Sequence, residues 1–390
     1  MSIFTHNSTI LVTCSKGIPP FLREEIAALG LPVRSERPAG IETSGTLEDA
    51  MRINLSVRTG QHVLYLLRRF TARTPDELYK KTAQIPWEDY IPRNGYLCVT
   101  SAVDTPSVKD TRFANLRAKD AIVDRFYAKL GSRPDSGPQR DRSVIFIYWS
   151  ADRCSIYLDT SGEPLSRRGY RKIPLAAPMQ ETLAAAVVLA SRWKSEENFV
   201  NPMCGSGTLA IEAALIAAGR DPGSMRSNYG FMHIEGFSRP LWRKMKGLAE
   251  KRKKPLPGRI IATDRDRRAV EAARSNAAAA GVSHLIEFDV CDFAETTVPE
   301  GTGAVILNPE YGERMGEIRE LEDTYRRIGD YFKQRCAGYR GYIFTGNRDL
   351  AKQVGLKAKT RTPFYNSNIE CRLFGYDLYG GSRKRSKQEP

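Results

Sequence analysis

Phe199-Val200-Asn201-Pro202-Met203-Cys204-Gly205-Ser206-Gly207-Thr208 is an apolar run that breaks into a glycine-rich turn, and an apolar helical stretch, 209–218, follows it. A strand, a tight turn and a helix in that order make the first half of a βαβ unit. Gly205 and Gly207 let the backbone turn sharply and come close to a ligand at the helix N-terminus, where unpaired N–H groups point outward. The loop has no lysine of the phosphate-binding P-loop kind, and Leu209 and Ala210 after Thr208 leave the G-x-G-x-x-G dinucleotide fingerprint incomplete. Two such glycines alone are as often a plain turn.

The pattern continues downstream. Strands are predicted at 199–201, 259–263, 286–290, 304–307 and 341–344, crossover helices at 208–218, 267–280 and 318–334, and a closing antiparallel pair at 356–363 and 371–378. The second strand ends in Asp264, where α/β folds hold a ribose diol; capping of the next helix is the plain alternative, and Asp266 competes for either role. After the third strand, Asp292 is a turn residue or an acceptor for an adenine amine. The fourth ends in Asn308-Pro309-Glu310-Tyr311-Gly312-Glu313-Arg314. Upstream, short strands (10–13, 63–70, 96–101, 143–149, 153–158) alternate with amphipathic helices (19–29, 46–53, 75–84, 115–130) in an α+β pattern. The basic, proline-punctuated stretch 164–178 marks a domain boundary, and a basic insertion, 219–257, interrupts the second half.

A chain of 390 residues has room for two or three domains. Sixty Lys and Arg against 45 Asp and Glu give a net charge of +15. The resulting pI near 9.5 points to a polyanionic partner, nucleic acid ahead of a membrane surface. The longest apolar stretches, 182–190 and 209–218, fall short of the roughly 20 residues a membrane span needs. No basic segment followed by an apolar one opens the sequence, and the seven cysteines are scattered without a C-x-x-C pair among four histidines. A cytoplasmic chain with free thiols and no metal site is expected.

The order of glycine loop, acidic strand end, Asp292 and Asn308-Pro309 is similar to that of class I S-adenosylmethionine-dependent amino-methyltransferases, whose fourth strand ends in N-P-P-Y or D-P-P-Y. M-C-G-S-G-T, the upstream S-R-R-G-Y-R and A-P-M-Q-E-T-L-A-A-A, and the downstream Y-G-E-R most resemble the THUMP-domain RNA guanine-N2 methyltransferases. Among these, the chain looks like the bacterial large-subunit ribosomal RNA branch, in a form without its second methyltransferase half. The resemblance implies a ferredoxin-like segment (1–70), a THUMP RNA-binding domain (71–165) and a Rossmann-like methyltransferase domain with a mostly parallel seven-stranded sheet (166–380), then a disordered basic tail (381–390). It implies that Pro178, Gln180 and Glu181 border the cofactor. Met203, Gly205 and Thr208 would lie around its methionine part, with Asp264 at the ribose and Asp292 at the adenine, and Asn201, Gly207 and Asn308 would also bind the cofactor.

The chemistry gives the fourth-strand motif its reason. An exocyclic amine is a poor nucleophile because its lone pair is delocalised into the base, so the site needs acceptors for both N–H groups. Asn308 Oδ1 and the Pro309 carbonyl are such acceptors, and Tyr311 can stack on a flipped base. Glu310 stands where the family has its second proline. It is read first as solvent-facing, next as an acceptor for guanine N1–H, and last as a sign of lost activity. Arg167, Arg168, Tyr170, Arg171 and Lys172 are expected to meet RNA. The rivals are adenine-N6 or tRNA methylation, an RNA-binding protein with an inactive methyltransferase domain, and a nicotinamide oxidoreductase, which the incomplete glycine fingerprint disfavours.

Overall fold

In the computed structural model, residues 3–173, 179–250, 258–311 and 315–379 are described, and the chain divides into two units. One is Met1–Arg168 with Asp221–Lys251; the other is Gly169–Arg220 with Arg252–Pro390.

The first unit begins with β1 (Ser8–Thr13), α1 (Pro19–Ala28), β2 (Val33–Arg37), β3 (Gly40–Gly45), α2 (Leu47–Ser56) and β4 (His62–Thr71). Prolines at its first two positions start α1 with φ already set. A reciprocal capping box starts α2: Thr46 accepts from the Asp49 N–H and Asp49 accepts from the Thr46 N–H. Next come α3 (Pro75–Thr82), β5 (Tyr96–Asp104), α4 (Thr111–Leu130), β6 (Asp135–Ser136), β7 (Ser143–Ser150) and β8 (Arg153–Asp159). β5 and β7 are parallel, with α4 as the crossover, and α4 stops at Gly131 in the left-handed conformation. The ladder runs β2-β3-β1-β4-β8-β7-β5-β6 as one eight-stranded sheet. Antiparallel pairing of β4 with β8 joins the two halves, and Leu11, Leu64 and Tyr157 pack together across that join. The polar sequence of the hairpin β2–β3 does not announce it.

The second unit starts with α5 (Glu181–Ala190), β9 (Asn198–Pro202) and α6 (Thr208–Ala217). The chain then passes through 221–251, which ends in α7 (Arg239–Glu250) and packs with the first unit. By its contacts this segment groups with the first unit, although it lies within 166–380 in sequence. Tyr229 stacks on Phe231 at 4.9 Å, Trp242 meets both edge-on, and the Phe231 N–H donates to the Thr160 carbonyl. Aromatic burial therefore outweighs sequence order in deciding where this segment lies.

Completing the second unit are β10 (Ile260–Asp264), α8 (Arg267–Ala279), β11 (Ile286–Val290), β12 (Gly303–Leu307), α9 (Met315–Arg335), β13 (Arg340–Thr345), α10 (Arg348–Gln353), β14 (Thr360–Asn366) and β15 (Ile369–Asp377). The order β11-β10-β9-β12-β13-β15-β14 is parallel except at β15, which runs antiparallel to both neighbours. This is the mostly parallel seven-stranded α/β sheet expected. From β9 the chain winds outward through β10 and β11, then returns to β12 on the other side. The carboxyl ends of β9 and β12 thus form the switch point where such sheets bind ligands. Among the described residues no helix is long and apolar enough to cross a membrane. Pro178 and the 381–390 tail lie outside them.

Candidate functional site

The glycine loop fits the switch point through its backbone. Met203, Gly205 and Gly207 all take positive φ. At Gly207 (φ +82°) a Cβ would come within 2.8 Å of Ala273 Cβ, so glycine is what lets the loop lie against α8. At Gly205 (φ +54°) a Cβ would meet open space. The Gly205 N–H donates to Asp264 Oδ2 at 2.9 Å, and the Asp266 N–H donates to Asp264 Oδ1 at 3.0 Å. Asp266, not Asp264, caps α8 by accepting from the Arg268 N–H. That resolves their competition: Asp264 is the carboxylate beside the loop, held by two backbone donors with a lone pair left on each oxygen.

Two residues, one buried and one half-buried, brace the loop from behind. Asn276 in α8 accepts from the Lys172 and Ile173 N–H groups (2.8 and 3.2 Å) and donates to the Ser206 carbonyl (3.2 Å). Arg171 pairs with Glu181 at 3.0 Å and donates to Ser206 Oγ, the Met179 carbonyl and Thr208 Oγ1. Arg171 was expected on RNA; four partners, with only 16% of its side chain exposed, make it a brace of the loop. Tyr170 is also a correction: it is buried, and its hydroxyl donates to Glu212 Oε1 at 3.0 Å. Arg168, in the first unit, is 1% exposed and donates to the Arg58 and Leu165 carbonyls, so RNA cannot reach it. Arg167 and Lys172 remain accessible, both exposed, with Arg167 paired with Glu163.

Glu181 is buried at the start of α5, and Gln180 before it is exposed. Burial beside Asp264 pushes the Cys204 thiol well up, which keeps it protonated and unreactive. Asp292 caps a short turn through the Ala294 N–H and pairs with Arg327 at 2.7 Å. Partial burial pushes its carboxyl up, but these two donors outweigh burial and hold it below the usual range.

The β12 end is built differently. Asn308 follows the last residue of the strand and Pro309 is buried. The Tyr325 hydroxyl donates to the Glu310 carbonyl (3.3 Å) and accepts from the Thr345 hydroxyl (2.8 Å), fastening the turn to α9 and β13. Asn347 Nδ2 donates to the Tyr311 carbonyl and Asn366 Nδ2 to the Tyr311 hydroxyl. These three residues, like Asn276, carry no motif that a single sequence would reveal. The Glu310 side chain is exposed.

Among the described residues of the second unit, two side-chain polar atoms are buried without a hydrogen-bond partner: Asn201 Oδ1 and Asn308 Oδ1. They end adjacent strands, and Asn201 Nδ2 reaches the Ile306 carbonyl of β12 at 2.9 Å. Each costs about 1–3 kcal/mol when left unmet, so their pairing at the switch point suits a polar ligand. Asn201, expected at the cofactor, ties the two strands through its amide nitrogen.

The RMKL-like methyltransferase domain model matches residues 168–374, more than half of the chain. The chain belongs to this family. It is a family of S-adenosylmethionine-dependent methyltransferases. The RlmL ferredoxin-like domain matches residues 9–64 and the THUMP domain residues 72–159. A ribosomal RNA large subunit methyltransferase K/L of Syntrophotalea carbinolica is 38% identical over 94% of this chain and 53% of its own length. The chain thus spans about half the length of the curated relatives it matches. SMU.472, a putative methyltransferase solved with S-adenosylhomocysteine, superposes with a TM-score of 0.87 at 27% identity, covering 97% of this chain and 99% of that one. A predicted N6-adenine-specific DNA methylase from Listeria monocytogenes gives 0.86 at 29%, covering 96% and 97%.

Proposed function

We propose that the chain transfers a methyl group from S-adenosylmethionine to the exocyclic N2 amine of a guanine in structured RNA, large-subunit ribosomal RNA first. The observation that carries this reading is the buried, unpartnered Asn308 Oδ1 at the end of β12. The open space at Gly205 and the lone pairs left on Asp264 fit the cofactor's polar half. When bound, the cofactor supplies an electrophilic methyl on a sulfonium. Asn308 Oδ1 and the Pro309 carbonyl accept the two amine hydrogens, which makes the nitrogen more pyramidal and frees its lone pair. The amine would lose its proton to water once it carries the methyl group, so no strong base would be required of the chain. Tyr311, held at both its carbonyl and its hydroxyl, is the platform for a flipped base. Much of the acceleration comes from aligning nitrogen, methyl and sulfur.

Adenine-N6 transfer uses the same acceptors and is the second reading, as is tRNA as substrate. Glu310 gives little support to an inactive domain, because its side chain is exposed and its backbone carbonyl is held by Tyr325. Labelled methyl transfer into undermodified ribosomal RNA, followed by nucleoside analysis, separates the readings. N2-methylguanosine is expected. N6-methyladenosine, or methylation of an inosine-substituted copy at the target nucleotide, overturns the guanine reading.

A further inference from the structure

The insertion that packs with the first unit presents a basic surface of its own. α7 reads Arg239-Pro240-Leu241-Trp242-Arg243-Lys244-Met245-Lys246-Gly247-Leu248-Ala249-Glu250. Trp242 is buried against Tyr229 and Phe231, which fixes the helix by its apolar side. Arg239, Arg243 and Lys244 are exposed and Lys246 half-buried, and none of the four makes an ion pair or hydrogen bond among the described residues.

Two comparisons show that these charges do not serve the fold. In α4 of the same unit, Arg112, Arg117 and Arg125 pair with Asp110, Asp76 and Glu88. In α7 the charges also run against the helix dipole. A cation, Arg239, opens the helix, with no acid in the first turn. Placing cations at the positive end of a helix costs a few tenths of a kcal/mol each, and no described neighbour offsets it. Since Trp242 is already buried in protein, α7 has no free aromatic anchor to insert into a membrane.

We infer that the exposed face of α7 is a phosphate-contacting surface for RNA, formed by Arg239, Arg243, Lys244 and Lys246 and additional to the THUMP domain. It rests on the proposal that the substrate is RNA. Arg239 and Arg243 lie one helical turn apart, with Lys244 beside them, so they present neighbouring cations to a phosphate backbone rather than to a base edge. Such contacts set affinity and salt dependence without choosing sequence.

The test uses the full chain and an unmodified 23S ribosomal RNA transcript. Arg239→Gln, Arg243→Gln, Lys244→Gln and Lys246→Gln are combined and compared with an equal charge change on the second unit, Lys194→Gln, Lys333→Gln, Lys352→Gln and Lys357→Gln. Circular dichroism and cofactor calorimetry check that both variants are folded and cofactor-competent. The α7 variant is expected to lose tenfold or more in RNA affinity near 0.15 M salt. The slope of log affinity against log salt should shrink by about 3, at about 0.7–0.9 for each of the four phosphates no longer neutralised. The control should keep its slope. An α7 variant that matches the control overturns the inference and leaves an acidic protein as the occupant of that face. A parent chain that does not bind the transcript overturns the RNA substrate itself, which separates the two failures.

Discussion

The two ends of the β9–β12 pair, one carrying the glycine loop and the other the Asn308 turn, face the same switch point and each leaves one buried acceptor unmet, Asn201 Oδ1 and Asn308 Oδ1, but their turns are held in different ways. At the glycine loop the polar groups are tied: Gly205 to Asp264, Ser206 to Asn276, Thr208 to Arg171. At the Asn308 turn the backbone is fastened from behind by Tyr325 and Asn347, while the side-chain acceptor proposed to meet the substrate amine has no partner. A cradle for a cofactor that returns at every turnover can be fully prebuilt. An acceptor meant for a transition state must be kept unsatisfied until the substrate arrives, at a cost to stability.

The sharpest way to break this contrast is Asn308→Ala. Turnover should fall by about two orders of magnitude or more, the scale for a positioned transition-state hydrogen bond, with cofactor affinity within about twofold and no stability loss beyond about 1 kcal/mol. Single-turnover kinetics beside calorimetry decides it; an equal loss of cofactor binding would move the orphaned acceptor into the cradle. Next in size is Asp264→Ala, which removes charge-assisted hydrogen bonds of about 1.5–3 kcal/mol each and should weaken S-adenosylmethionine by tens of fold. A folded variant of normal affinity removes Asp264 from the site.

A smaller effect separates the two glycines. Both substitutions to alanine carry the left-handed penalty of about 1–2 kcal/mol, but only Gly207→Ala also drives a Cβ into Ala273, adding about 1–3 kcal/mol in urea unfolding. Equal costs would mean that α8 yields and that the loop is less rigid than its bonds suggest. Smallest is Glu310: with its side chain exposed, Glu310→Gln should change activity by no more than about 0.5 kcal/mol in barrier, the range of surface substitutions. Loss of guanine preference over adenine in that variant would instead put the carboxylate at guanine N1–H.

The second unit was largely legible because parallel strands buried on both faces leave apolar runs, and glycines, Asp264 and Asn308 punctuate their ends. Less legible were features decided by packing. The basic run around 167–172 read as one surface, since composition reports charge but not burial; Arg168 and Arg171 spend their donors on carbonyls and a carboxylate inside the protein. Asn276 is one polar residue in an alanine-rich helix, with no local signal for its three-way brace. The hairpin β2–β3 is short and mostly polar, and the six-residue α10 is too brief for a helical period to show. Sequence order did not show that 221–251 groups with the first unit, because contacts far apart in sequence decide which unit holds them.

The pairing of β4 with β8 has a consequence for how the first unit can be cut. The family models for its two halves end at residue 64 and begin at residue 72, so their junction falls on β4 (His62–Thr71), a strand bonded on both sides. Two modules by descent are therefore one cooperative piece by hydrogen bonding. A fragment holding either half alone would expose a long interior strand edge to water, and that edge would recruit a second copy of the same fragment before it stood as a monomer.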